Sequence, residues 1–343
     1  MRVAVIGATG YGSAELIRIL ENHPYVELET LISSSQAGEE LGSVFPHLSQ
    51  RELSLEELDL DQLAERVDGV FSATPAGVSG ELLPELVERG VIAIDLAGDF
   101  RLEAADYQTW YSKEPAPSKW LSEAVYGLSE WTADQVKKAR LVTNPGCYPT
   151  ATLLALLPLV RAGVIAKGPV MIDGKSGVSG AGRGLKQSSL FCEVEGNLFP
   201  YKVAEHQHTP EIERYLSMIG GDPRTVTFTP QIVPMSRGIL TTIYAPVESG
   251  WRTDQVREVI ERAYREKPFI RLCESGRWPR TKDVAGSNFC DLQVKVDERT
   301  GMVIAAAVID NLMKGAAGQA VQNLNLMMEW PESTGLSMLP VYP

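Results

Sequence analysis

The sequence predicts an α/β protein in which a doubly wound parallel sheet is joined to an α+β domain with a mixed or antiparallel sheet. Three observations predict it. Short β-rich apolar runs alternate with amphipathic helical stretches over the first hundred residues. From about residue 169 onward, strand-like runs follow one another with few helices between them. The length of 343 residues also exceeds what one compact core usually needs.

The elements follow in order. RVAVIG (2–7) is a short apolar run ending at glycine, the mark of a buried parallel strand. In SAELIRILENHP, Leu16, Ile17 and Leu20 share a side, Glu15, Arg18 and Glu21 are polar, and Pro24 stops the helix. VELETLIS (26–33), DGVFSATP (68–75) and VIAIDLAG (91–98) are further strands, with helical GELLPELVERG (80–90) between the last two. In the second half, strands are expected at 169–178, 225–234, 238–247, 289–297 and 301–310. RTDQVREVIERAYRE (252–266) is a helix that would cover one sheet face, and 315–330 is a closing helix of small and long apolar residues.

Composition excludes several classes of function. With 44% hydrophobic and 22% charged residues the chain is an ordinary globular protein, and its net charge of −12 opposes binding to nucleic acid or an anionic membrane. A small molecule is the expected partner. Cys147, Cys192, Cys273 and Cys290 lie far apart, without zinc-site spacing or the density of a disulfide scaffold, so a reducing, cytoplasmic setting and no metal site are expected. No apolar stretch approaches the roughly 18 residues needed to span a bilayer.

Two motifs carry the chemistry. Gly7, Ala8, Thr9, Gly10, Tyr11 and Gly12 join the first strand to the first helix, where glycines let the backbone approach a pyrophosphate at a helix N-terminus, as in a Rossmann-type site. After the second strand stand Ser33, Ser34 and Ser35 instead of an acidic residue, which favours NADP(H). The second motif is NPGCYPTA (144–151). A turn at Asn144-Pro145-Gly146 presents Cys147 at or just before a helix N-terminus, where the helix dipole stabilises a thiolate. The other three cysteines read as small buried hydrophobes. Of the four histidines, His23 has a local role at a helix end, whereas His206 and His208 are spaced to place both rings on one side of an extended segment.

These motifs, with AGDFRL (97–102), GVSGAGR (177–183), HQHTPEI (206–212) and DNLMKGAAGQAVQN (310–323), closely resemble the N-acetyl-γ-glutamyl-phosphate reductase family, within the wider aspartate-semialdehyde dehydrogenase superfamily. The resemblance spans nearly the whole chain. It implies NADPH-dependent reduction of N-acetyl-L-glutamyl 5-phosphate to the 5-semialdehyde through a thioester on Cys147. It places the acid/base histidine at His206 or His208, with His206 slightly favoured, and a phosphate-binding arginine at Arg101. Arg183 is then a candidate for the substrate carboxylate and Asn144 a further substrate residue. Arg237 is a weaker candidate for the same anionic pocket, and Lys314 a cap of the final helix. Ser176, Gly177, Gly180 and Asn311 would lie near the nicotinamide. The implied domains are a dinucleotide-binding domain of residues 1–147 completed by 314–343, and a catalytic and oligomerisation domain of 148–313. A homodimer or homotetramer is expected.

Three departures from the family pattern stand out: Ser13 and Ser129 replace a usual glycine and proline, and an arginine common after the second strand is absent. The competing functions are a relative acting on a LysW-carried aminoadipyl or glutamyl phosphate, aspartate-semialdehyde dehydrogenase, and a nucleotide-binding module without catalysis. Tyr148 and Pro149 and the acidic composition favour the free acetylated substrate over a carrier.

Overall fold

A computed structural model describes residues 1–221 and 223–342. The chain divides into two compact units, Met1–Pro145 with Ala316–Ser337, and Gly146–Gly315 with the residues from Met338. The division thus falls just before Cys147 rather than just after it, and the last residues group with the second unit.

The first unit holds a parallel sheet of seven strands: β1 (Arg2–Ile6), β2 (Glu27–Ile32), β3 (Leu55–Glu56), β4 (Gly69–Ser72), β5 (Ile92–Asp95), β6 (Val125–Tyr126) and β7 (Leu141–Thr143). Their order is β3-β2-β1-β4-β5-β7-β6. The winding reverses between β1 and β4, and ligands of such sheets bind at the carboxyl ends of the strands at that point. Ala4, Ile6, Val70, Leu83, Leu86 and Ala93 pack together in the core, each large aliphatic side chain contributing about 1.5–3 kcal/mol.

The helix Gly318–Met327 packs on the helix Tyr11–Leu20, on the helix Ser129–Val136 and on β5. It corrects the expectation of an apolar closing helix. Gln319, Gln322, Asn323 and Asn325 are fully buried on it. The Gln319 amide donates to Gly127 O (2.8 Å) and Ser129 Oγ (2.7 Å), and the Asn325 amide oxygen bonds His23 Nε2 (2.9 Å). Ser129 also donates to Asn323 Oδ1 (2.7 Å), a role proline at that position could not fill.

The second unit holds a mixed sheet of β8 (Val170–Ser176), β9 (Phe199–Pro200), β10 (Val226–Ile232), β11 (Ile239–Pro246), β12 (Ile270–Leu272), β13 (Cys290–Asp297) and β14 (Met302–Ile309). The order is β12-β13-β14-β11-β8-β10-β9, with β8/β10 and β12/β13 parallel and the other pairs antiparallel. The helix Cys147–Arg161 is buried all round from Tyr148 to Val160, as an apolar helix without a polar face must be. It packs on the helices His208–Gly220 and Thr253–Tyr264 and on β11 and β14. Among the described residues, no helix is long and apolar enough to cross a membrane.

Candidate active site

Cys147 is the first residue of its helix, and Gly146 is the N-cap. The thiol residue is half-buried. It therefore sits where the aligned peptide dipoles of a fifteen-residue helix present their positive end, which favours thiolate over thiol. Pro149 falls in the first turn, where its missing N–H costs no helix bond. Thr150 makes the first intrahelical bond, to Gly146 O at 2.9 Å. Two glycines leave room here, one for the His208 ring and one for Cys147. A Cβ at Gly146 would stand 2.4 Å from His208 Nε2, and one at Gly315 would stand 2.8 Å from Cys147 Cβ. Gly315 lies in a short π-helical turn, Met313–Ala317, a geometry frequent at functional sites.

The two histidines do not lie on an extended segment. His208 begins the helix His208–Gly220, and Gln207 before it has helical dihedrals (φ −61°, ψ −13°). The rings are nevertheless adjacent, with centroids 4.7 Å apart. The reason is a cap: His206 Nδ1 accepts the His208 backbone N–H at 3.1 Å, satisfying a donor that the start of the helix leaves open. That bond assigns the proton of neutral His206 to Nε2. Burial, followed by the charge of Lys202, pushes His206 down to about 3, so the ring is neutral at physiological pH. The Tyr148 ring stands edge-on to both imidazoles, with centroids 5.8 Å and 6.1 Å away, and its hydroxyl donates to Gln231 O at 3.2 Å. Burial raises the phenols of Tyr148 and Tyr201 well above their ordinary range.

Sequence reasoning missed Glu211. It is fully buried one turn beyond His208, and its Oε1 accepts the Gly146 N–H at 2.8 Å. A carboxylate three residues after His208 on the same helix was the available signal.

In the first unit, the glycine turn fits a dinucleotide. Gly7 has φ +80°, and a Cβ there would stand 2.7 Å from Ala73 O, so only glycine lets the turns after β1 and β4 meet. The helix Tyr11–Leu20 is capped by Gly10, and a Cβ at Gly12 would meet nothing within 4 Å. Backbone N–H groups at such a glycine-rich helix N-terminus suit an anion. Ser13 donates from Oγ to Gly7 O at 2.7 Å, holding the turn closed. Ser33 and Ser35 follow β2 with their hydroxyls 3.5 Å apart, Ser33 buried and Ser35 exposed. At the end of β4 and just after it, Ser72, Thr74 and Ser79 form a hydroxyl cluster at 3.0–3.2 Å.

The remaining candidates are placed as follows. Arg101 is buried, donating to Asn144 O (2.8 Å) and Leu96 O (3.2 Å). Asn144 donates to Ala316 O (3.1 Å) and accepts from Asn323 (3.1 Å), tying the end of β7 to the closing helix. Ser176, Gly177, Gly180 and Asn311 come together: a Cβ at Gly180 would stand 2.7 Å from Ser176 Oγ, and Asn311 bonds Ser179 Oγ (2.9 Å) and Gly238 N (2.7 Å). Arg183 lies on an exposed segment. Arg237 pairs with buried Asp310 at 3.3 Å, and Lys314 is fully buried rather than capping a helix at the surface.

A parallel sheet with a glycine turn after its first strand, and a mixed-sheet unit that begins on a helix-terminal cysteine whose preceding glycine faces the His208 ring, define a class of nucleotide-binding oxidoreductases. The sequence profiles described as "Semialdehyde dehydrogenase, NAD binding domain" and "Semialdehyde dehydrogenase, dimerisation domain" match residues 2–139 and 147–311, and the chain belongs to that family. It is 53% identical over 345 residues to the N-acetyl-gamma-glutamyl-phosphate reductase of Brevibacillus brevis, with 100% of both chains covered. The fold is shared with aspartate semialdehyde dehydrogenase II of Vibrio cholerae (18% identity, TM-score 0.74, 96% of this chain and 98% of that one). It is also shared with aspartate semialdehyde dehydrogenase with NADP from Candida albicans (18% identity, TM-score 0.68, 95% and 98% covered).

Proposed function

We propose that the chain reduces N-acetyl-L-glutamyl 5-phosphate to N-acetyl-L-glutamate 5-semialdehyde with NADPH, releasing phosphate, as a step of arginine biosynthesis. The observation that carries the reading is the position of Cys147 as first residue of its helix, with the His208 ring against Gly146 beside it.

Cys147 attacks the acyl carbonyl as thiolate, the bond to phosphate oxygen breaks, and a thioester remains. His208 takes the thiol proton. The reading thereby moves the proton carrier from His206 to His208, because His206, held near 3, is a poor base at neutral pH. His206 instead positions His208 through its backbone N–H and presents an Nε2–H donor. Glu211 fixes the turn before the thiol through Gly146. The helix N-terminus stabilises the oxyanion formed in each acyl step. Bound NADPH supplies the hydride that reduces the thioester. The resulting thiohemiacetal releases aldehyde as its C–S bond breaks, and the thiolate of Cys147 is restored.

The Gly7–Gly12 turn holds the pyrophosphate, and Ser33 and Ser35 take a 2′-phosphate without carboxylate repulsion. Arg101 is the cation assigned to the phosphate group. The profile match to a dimerisation domain and the exposed Met171 and Tyr244 on the sheet support a homodimer or homotetramer. Four free thiols suit the cytoplasm.

The test runs the reaction backwards. With NADP and phosphate present, N-acetylglutamate semialdehyde should generate NADPH absorbance and aspartate semialdehyde should not. Absence of turnover with the first substrate overturns the reading.

A further inference from the structure

A cavity of about 340 Å³ opens beside His206, and all of its lining residues belong to the second unit. Lys186 and Ser188 line it from the segment after Ala181, Tyr201 and Lys202 from the turn before His206, and Phe199 and Ile232 supply an apolar wall. Among the described residues no carboxylate lines it. Each ammonium instead donates to an uncharged oxygen: Lys186 Nζ to Ala181 O and Lys202 Nζ to Gln207 Oε1, both at 3.1 Å.

The two exposed ammonium groups thus bring positive charge to one cavity that no carboxylate among the described residues lines. The turn that carries Lys202 is strained, with φ +44° at Lys202 and +61° at Ala204. Non-glycine residues are held there only when the surroundings enforce it, and such strain gathers at ligand clamps. His206 itself lines the cavity, and its ring lies 4.7 Å, centroid to centroid, from that of His208.

We propose that this cavity is the subsite for the α-carboxylate of the acyl substrate, with Lys186 and Lys202 as its ion-pair partners. The inference rests on the proposed reaction and names what gives it selectivity. Ser188 and Tyr201 offer hydroxyls to the same carboxylate or to the N-acyl amide, while Phe199 and Ile232 form a wall for the acyl methyl group. The enzyme thereby favours carboxylate-bearing amino acid derivatives over plain aldehydes of equal length. Arg183, the cation expected for this role, lies between Ala181 and Lys186 on the same exposed segment and is not among the residues that line the cavity.

The experiment compares two aldehydes with NADP and phosphate: N-acetylglutamate 5-semialdehyde and 4-acetamidobutanal, the same molecule without its carboxylate. Wild type should favour the first in kcat/KM. In K186Q and K202Q that preference should fall by about 10- to 100-fold each, the range of a charge-assisted hydrogen bond. The loss should enter through KM, with kcat within a few-fold and 4-acetamidobutanal unaffected. K186R and K202R should retain part of the preference. A K186Q/K202Q double variant that keeps the wild-type ratio overturns the proposal, and so do equal losses on both substrates, which a merely structural role would produce. Failure of wild type to oxidise N-acetylglutamate semialdehyde is a different result, and it refutes the reaction itself.

Discussion

Replacing Gly146 by alanine isolates the contact between the catalytic turn and its imidazole. The backbone there has φ −64° and ψ 155°, ordinary for any residue, so alanine brings no conformational strain. Space decides the outcome. The new Cβ would stand 2.4 Å from His208 Nε2 and 2.8 Å from both Cδ2 and Cε1, against an ordinary contact of 3.4 Å or more. The ring must therefore retreat by about 1 Å in a site where the His206 ring centroid is already 4.7 Å from its own. A misplacement of that size costs on the order of 100-fold in rate, and overpacking costs about 1–3 kcal/mol of stability. Steady-state kinetics should show kcat reduced about 100-fold, with a modest fall in Tm. NADP binding followed by fluorescence should be unchanged, because the Gly7 turn belongs to the other unit. Wild-type kcat in a folded G146A protein would refute the placement of His208 as proton carrier.

Other perturbations give separate checks. Burial and the Lys202 charge hold His206 at about 3 against an ordinary 6.5, so between these values the unfolded chain binds a proton that the folded one does not. Stability should be full above about pH 6.5 and fall as pH is lowered towards 3. H206N should flatten that slope in pH-dependent melts, leaving the smaller share from buried His23, which burial also lowers; unchanged slopes would contradict the assignment. Glu211→Ala removes the acceptor of the Gly146 N–H and should cost about 1–3 kcal/mol of stability together with a loss of kcat. Glu211→Gln, which retains an amide oxygen, should recover part of both, and equal activity of E211A and wild type would exclude a positioning role. Ser35→Asp should lower kcat/KM for NADPH by roughly tenfold or more relative to NADH, since a carboxylate repels a 2′-phosphate and accepts from a ribose hydroxyl. An unaltered cofactor ratio would remove Ser35 from the site.

Much of the molecule was legible because its signals are local. The strand, glycine turn and helix at 2–20 are contiguous, and Asn144-Pro145-Gly146 with Pro149 marks a helix start at Cys147 without any tertiary information. What escaped depends on partners distant in sequence. Gly146 and Gly315 are required by His208 and Cys147, and nothing near either glycine announces it. β6 and β7 span two and three residues, too short to show a period, and each is held by its sheet neighbours. His206 and His208 were adjacent for a reason other than the one expected, because a side-chain cap on a new helix mimics the alternation of a strand. The closing helix reads as apolar from sequence alone because its buried amides find partners at Gly127, Ser129 and His23, more than a hundred residues away.

The most direct measurement is to mix the enzyme with N-acetylglutamyl phosphate in the absence of NADPH and determine its intact mass, then map any adduct by peptide sequencing. The account predicts one N-acetylglutamyl group per chain, carried on Cys147, absent from C147S, and discharged as aldehyde when NADPH is added. An adduct on Cys192, Cys273 or Cys290, or turnover of C147S at the wild-type rate, would contradict it.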